Sequence, residues 1–215
     1  MGFENTPLNR PGFGKIKETL ITPRSYEDYK NILLFTDDDV RKWRAIVDLG
    51  SGIEQEFAKD AKRINPDATI ISVDPGLALS EEEDLGRIPD TQLQRRRLHG
   101  RKNPEKYSIA ALSNNLPLRA DSVDAILALY SVPGYLEDDF DGEKAYDHIE
   151  GLLRQTDHVL AEGGTARFFP VAPAQKLMIE RLATVVSSST VRFIEKESGD
   201  QKNYLLLMTK HEKGA

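Results

Sequence analysis

The sequence predicts an α/β domain in which a doubly wound, mostly parallel sheet is covered by helices on both faces. Three observations predict it. Short, nearly continuous apolar runs alternate with amphipathic helical stretches from about Arg44 onward, the pattern of strands buried on both faces. A Gly-Ser-Gly turn ends the first of these runs. Two strand-like runs joined by Ser198-Gly199-Asp200 close the chain, which adds an antiparallel member to the sheet.

The elements follow in order. Residues before about Ser25 are rich in Pro, Gly and Asn and show no clean period, so an irregular arm is expected. Ser25 with Asp28 and Thr36 with Asp39 have the spacing of capping boxes. They open a helix carrying Tyr26, Tyr29, Ile32 and Leu33 on one face and a short one running to Trp43. The Asp37-Asp38-Asp39 run reads as first-turn carboxylates that complement a helix dipole rather than as a metal site. Ala45 to Leu49 is the first strand. A helix from about Ile53 to Ile64 follows, with Ile53, Phe57, Ala61 and Ile64 on its stripe. Thr69 to Val73 is the second strand. Ser80 with Glu83 marks another helix start, within a long charged stretch reaching Lys106.

Strands are expected at Tyr107 to Leu112 and Ala125 to Tyr130. A helix of about five turns then buries Ile149, Leu152, Leu153, Val159 and Leu160 and ends at Gly163-Gly164. Thr165 to Val171 is the fifth strand. Ala174 to Val186 is a helix with Leu177, Met178, Leu182 and Val185 at helical spacing, and Val191 to Lys196 and Tyr204 to Thr209 complete seven strands. The expected organisation is an N-terminal arm with helices over residues 1–44, able to act as a lid, and a single sheet domain over 45–215.

Composition bounds the function. The 215 residues are 39% hydrophobic and 30% charged, which suits a soluble globular domain with a substantial core. No run approaches the roughly 18 apolar residues that cross a bilayer, and the first residues lack a secretory apolar stretch. There are no cysteines, hence no disulfides, thiolate metal sites or cysteine nucleophiles. No metal site is expected, and the location expected is cytoplasmic. A formal net charge of -6 argues against a broad phosphate-binding face for nucleic acid. The local exception is Arg95, Arg96, Arg97, His99, Arg101 and Lys102. It admits a nucleic-acid contact, an acidic small substrate, or a solvated loop balancing Glu81 to Asp84. Aromatic residues for base stacking are scarce there.

In a doubly wound sheet, ligands bind beyond the carboxyl ends of the strands, where strand order reverses. The first strand–helix turn, IVDLGSGIEQEFA, lies at that place. Gly50 and Gly52 permit a tight turn and close approach of backbone to ligand, and the next helix offers unpaired N–H groups. Asp74 closes the second strand, the position from which a carboxylate accepts hydrogen bonds from ribose hydroxyls. In this order they point to nucleoside binding; a plain turn with a strand-end aspartate is the bland alternative.

VDLGSG from Val47 to Gly52, SVDP with Asp74, LPLRADSVDAILALYSVPGYL from Leu116 to Leu136 and HVLAEGGTARFFPV from His158 together resemble, in order, the motifs of class I S-adenosylmethionine-dependent methyltransferases. The resemblance covers about Val40 to Lys210. It implies a Rossmann-like fold with an antiparallel C-terminal strand, S-adenosylmethionine as cofactor, and methyl transfer to a small-molecule acceptor by in-line displacement. It implies that Gly50, Ser51 and Gly52 pass beneath the methionine part and that Asp48 orients its amino group. Asp74 would hold the ribose, Ser113 and Asn114 would border the adenine, and Tyr130 would line the pocket near the methyl group. Two departures stand out. Glu54 occupies the place of the family's frequent third glycine, and ALSNNLP lacks the frequent acidic residue near adenine.

Positioning and shielding are the main demands of such a transfer. A base is needed only if the acceptor's proton leaves during attack, and no catalytic residue is assigned. Among the histidines, His148 lies nearest the expected pocket mouth, His158 reads as scaffold, and His211 belongs to the tail. The family's Asn/Asp-Pro-Pro-aromatic segment is absent after the fourth strand, where SVPGY stands. Two other readings remain open: a non-catalytic Rossmann-like nucleoside-binding or interaction protein, and a nicotinamide-dependent enzyme, whose fingerprint would want glycine at Gln55. The sequence carries no sign of the oligomeric state.

Overall fold

Two reciprocal capping boxes open the first two helices in the computed structural model, which describes residues 24–52, 55–74, 107–109, 111–133, 142–198 and 201–212. Ser25 and Asp28 cap α1 (Tyr26–Leu33), and Thr36 and Asp39 cap α2 (Asp37–Lys42), each side chain bonding the other residue's N–H. The acidic run is absorbed locally. Asp37 accepts from Lys30 and Tyr26, Asp38 pairs with Arg41, and Asp39 caps α2. Among the described residues no group of His, Cys, Asp or Glu is arranged to hold a metal ion, and no helix is long and apolar enough to cross a membrane.

The strands are β1 (Ala45–Leu49), β2 (Thr69–Val73), β3 (Ser108–Ile109), β4 (Val123–Leu129), β5 (Leu160–Val171), β6 (Ser189–Ser198) and β7 (Gln201–Lys210). They form one seven-stranded sheet of order β3-β2-β1-β4-β5-β7-β6. β1 through β5 pair in parallel, and β7 runs antiparallel between β5 and β6. The order reverses between β1 and β4, so their carboxyl ends open a crevice there. The expected Rossmann-like architecture with its closing antiparallel strand is the one observed.

Helices α3 (Glu56–Ile64), α4 (Gly142–Val159) and α5 (Pro173–Leu182), with a 3-10 turn at Ala183–Val185 after the last, complete the described elements. The period of two along a strand assigns each residue to a face. Ile46, Ala125, Leu127 and Leu129 join the core under α1, α2 and α3. Val47, Leu49, Ile126 and Ala128 join the core under α4 and α5. On the first face Tyr29 stacks on Phe57 at a centroid distance of 4.6 Å, and Tyr26, Phe35 and Trp43 extend the aromatic layer. Burying each such ring contributes roughly 1.5–3 kcal/mol. The negative end of the α1 dipole is met by cations from the sheet. Arg167 of β5 donates to the Leu33 and Leu34 carbonyls, and Lys196 of β6 to that of Asn31.

Several boundaries differ from expectation. The five-turn helix stops at Val159, and β5 begins at Leu160 rather than after Gly163-Gly164. Leu160 pairs with Val123, then the register shifts before Thr165 meets Ala125. The glycines accommodate that bulge, Gly163 at φ 72°. In α5, Leu177 is 58% exposed while Gln175, Ile179 and Leu182 face inward. Pro173 at the first turn fixes the helix frame, and the buried stripe follows from it. β3 is Ser108–Ile109, shorter than predicted. The Ser80–Glu83 cap, Glu54, the basic cluster from Arg95 to Lys102, and the Gly199-Asp200 turn lie outside the described residues.

Candidate functional site

Strand parity places Asp48 beside Ile46 on the face covered by α1. There the Tyr29 hydroxyl donates to its Oδ1 at 2.8 Å. The carboxylate is fully buried, and Oδ2 has no hydrogen-bond partner among the described residues. Burial pushes the Asp48 carboxyl up to about 7; the Tyr29 hydrogen bond opposes this, and the negative charge of Asp74 adds to it. The same burial, with Asp48 alongside, holds the Tyr29 phenol well above its ordinary range.

Beyond Asp48 the chain turns sharply. Gly50 adopts φ 73° and Gly52 φ 63°, conformations that favour glycine. The Gly50 N–H donates to the Val73 carbonyl at 2.7 Å, tying the turn to β2. A Cβ on Gly50 would stand 2.2 Å from Ser131 Cβ, so a second constraint acts there. Ser131 follows β4, is buried, and donates from Oγ to the Leu49 carbonyl at 2.7 Å. The ends of β1, β2 and β4 are thereby laced together at the crevice.

Gly52 is different. None of the described residues lies within 4 Å of the place a Cβ would take, and its N–H donates to Asp74 Oδ2 at 3.0 Å. Ser51 lies between the glycines and donates from Oγ to the Gly52 carbonyl. The turn thus presents an open backbone surface held from below by the strand-end carboxylate. Gln55 adopts φ 50° just before α3, the left-handed conformation a glycine takes most readily. Its buried amide bonds Ser108 of β3 through Nε2 at 2.9 Å.

At the end of β4, Tyr130 adopts φ 52°. Its N–H donates to the Phe169 carbonyl, its ring meets Phe169 edge-on, and the Arg24 guanidinium sits 4.4 Å over the ring centroid. Ser113 and Asn114 form the turn beyond β3. The Asn114 amide is 2.8 Å from His148 Nδ1 on α4, and its Cβ packs where α4 has Gly151. The structure therefore gathers Asp48, Gly50, Ser51, Gly52 and Asp74 around one turn and sets Tyr130 at the end of a neighbouring strand. It ties Asn114 to His148 on the opposite helical layer. His158 is exposed on α4.

Sequence reasoning missed four participants. Tyr29 was readable only as helix packing or a lid, because its contact with Asp48 depends on strand parity. Ser131 carried one usable signal: a small residue must face Gly50. Gln55 and Arg24 gave none.

No protein-family model matches this chain, and no curated protein matches it. Solved structures do. The chain is similar to magnesium protoporphyrin IX methyltransferase from Synechocystis PCC 6803, a structure with bound S-adenosylmethionine. That likeness has TM-score 0.52 and 11% identity over 86% of this chain and 79% of the other. A methyltransferase from Pyrococcus furiosus gives TM-score 0.52 and 15% identity over 85% and 82% of the two chains. TrmN from Thermus thermophilus gives 0.50 and 19% over 86% of this chain and 48% of its own. At such identities the likeness is one of fold, and it agrees with the strand order observed: the chain has the Rossmann-like fold of class I methyltransferases.

Proposed function

We propose that this protein is an S-adenosylmethionine-dependent methyltransferase that transfers the methyl group to a small-molecule acceptor by in-line displacement. The observation that carries the reading is the pair formed by Asp48 and Gly52. Among the described residues, a fully buried carboxylate oxygen has no hydrogen-bond partner, and the nearby Gly52 turn has no neighbour over it. An unpaired buried acceptor is costly unless a ligand completes it, and a donor such as an ammonium group suits it. Asp48 would hold the amino group of the cofactor's methionine part, Gly50, Ser51 and Gly52 would pass beneath that part, and Asp74 would hold the ribose while anchoring the Gly52 N–H. Ser113 and Asn114 would border the adenine and Tyr130 the reacting end. When bound, the cofactor supplies an electrophilic methyl group on a sulfonium. The chain's own contribution is to orient the two reactants and exclude water.

A small acceptor is favoured by the charge pattern. On the described surface Arg41, Lys59, Arg63, Arg154, Lys176 and Lys202 each pair with a nearby carboxylate, which leaves little of the basic stripe a nucleic-acid backbone needs. In this reading residues 1–44 form the accessory cover of the site, residues 45–215 form the transferase domain, and the protein works in the cytoplasm. A non-catalytic nucleoside-binding protein is the second reading. It is favoured by ALSNNLP, which lacks the acidic residue that class I methyltransferases frequently place near adenine.

The test is transfer of labelled methyl from S-adenosylmethionine into a pool of small metabolites. Label should enter an acceptor with the wild type and fall by about 100-fold or more with Asp74→Ala, which removes charge-assisted hydrogen bonds. Binding of the cofactor without any transfer across the pool would favour the non-catalytic reading.

A further inference from the structure

Tyr29 comes from α1, outside the strand–helix units that build the sheet, yet it contacts the carboxylate at the centre of the site. Its hydroxyl fixes Asp48 Oδ1 at 2.8 Å, and Oδ2 is buried without a partner among the described residues. A carboxylate so held accepts one further donor at one oxygen. The phenol is itself held. Its ring stacks on Phe57 with an interplanar angle of 25°, and α1 is pinned at its far end by Arg167 and Lys196.

We propose that Tyr29 is a positioning residue that reserves Asp48 Oδ2 for the ammonium group of the ligand's amino-acid part, so that recognition of that part depends on the charge of Asp48. The inference rests on the methyltransferase reading of the site. Among the described residues, the titratable and charged groups that face Asp48 are Tyr29 from α1 and Asp74 from the end of β2. Arg24 ahead of α1 acts on the Tyr29 hydroxyl and lies over Tyr130 at the end of β4. An ammonium ligand needs Asp48 ionised. With the carboxyl titrating at about 7, affinity is full above that value and falls about tenfold per pH unit below it. The Tyr29 hydrogen bond favours the ionised form, so its loss moves the midpoint upward.

The experiment is calorimetric titration with S-adenosylhomocysteine and with methylthioadenosine, which has the nucleoside but neither ammonium nor carboxylate. It compares wild type and Tyr29→Phe, a change that keeps the stacked ring. Wild-type affinity for S-adenosylhomocysteine should weaken about tenfold from about pH 8 to about pH 6, with methylthioadenosine level throughout. Tyr29→Phe should move the midpoint up by about a unit, with affinity recovered near pH 9 and methylthioadenosine unaffected. In the free protein, the carbon-13 resonance of the Asp48 carboxyl should show the same upward move. A Tyr29→Phe variant that weakens both ligands equally at every pH, or leaves the midpoint in place, would overturn the proposal. So would flat S-adenosylhomocysteine binding in the wild type, which leaves the methyltransferase reading standing. If neither nucleoside binds the folded wild type, that reading falls and this inference with it.

Discussion

The two ends of the sheet treat their carboxylates in opposite ways. At the amino ends of the strands, Asp124 Oδ2 accepts from the N–H groups of Arg44 and Ala45 at 2.7 and 2.9 Å. Asp157 accepts from Ser188 and Ser189, and the buried Lys210 bridges Asp121 and the Asp157 carbonyl. These groups close the end of the fold. At the carboxyl ends, Asp48 is as deeply buried as any core residue; among the described residues one of its oxygens has no partner and nothing stands over Gly52 in the adjoining turn. The difference teaches where the molecule holds an unfavourable arrangement that binding can relieve. The amino end is closed by its own contacts, and the carboxyl end is where a ligand is proposed to bind.

The largest expected effect separates the two ends by pH. The Asp48 carboxyl is raised from 3.8 to about 7 on folding, so between those values the folded state binds more protons than the unfolded state. Stability therefore falls as pH rises through that window, by a total of about 4 kcal/mol, and is level above it. Asp48→Asn should remove this slope and raise stability at about pH 8 by a few kcal/mol, while losing the cofactor. Denaturant melts across pH measure it. A slope unchanged by the substitution would contradict the account.

Next come the two glycines. Gly50→Ala meets Ser131 Cβ at 2.2 Å and a positive φ and should cost about 3 kcal/mol of stability. Gly52→Ala meets no neighbour among the described residues. It should cost only about 1 kcal/mol for its φ, yet weaken cofactor binding at least tenfold by filling the open surface. Equal losses of stability at both positions would remove the distinction between a packed and an open glycine. At the amino end only stability should move. Lys210→Met should lower it by about 1 kcal/mol and leave nucleoside affinity unchanged; a change in affinity would mean the ends are coupled.

How much of this was legible follows from whether each signal is local. Capping boxes at Ser25 and Thr36, apolar strand runs and the Gly50-Ser51-Gly52 turn are short-range patterns, and they were readable. The start of β5 was not, since Leu160 continues the apolar period of α4 before the chain enters the sheet. Leu177 and Ile179 fit two neighbouring helical stripes, and only docking on the sheet chooses Ile179. Asp48 and Asp74 were readable as strand-end carboxylates, but the Tyr29 contact joins residues nineteen positions apart through strand parity and helix docking. Gln55 in a left-handed conformation breaks a local rule, and no residue pattern announces it.

The central claim is that the carboxyl end of the sheet holds a sulfur nucleoside with an amino-acid part. Calorimetric titration of the purified protein at about pH 8 with S-adenosylmethionine, S-adenosylhomocysteine and NAD tests it most directly. The account predicts micromolar binding of the first two and none of NAD. A folded protein that binds neither sulfur nucleoside, or that prefers NAD, would contradict it.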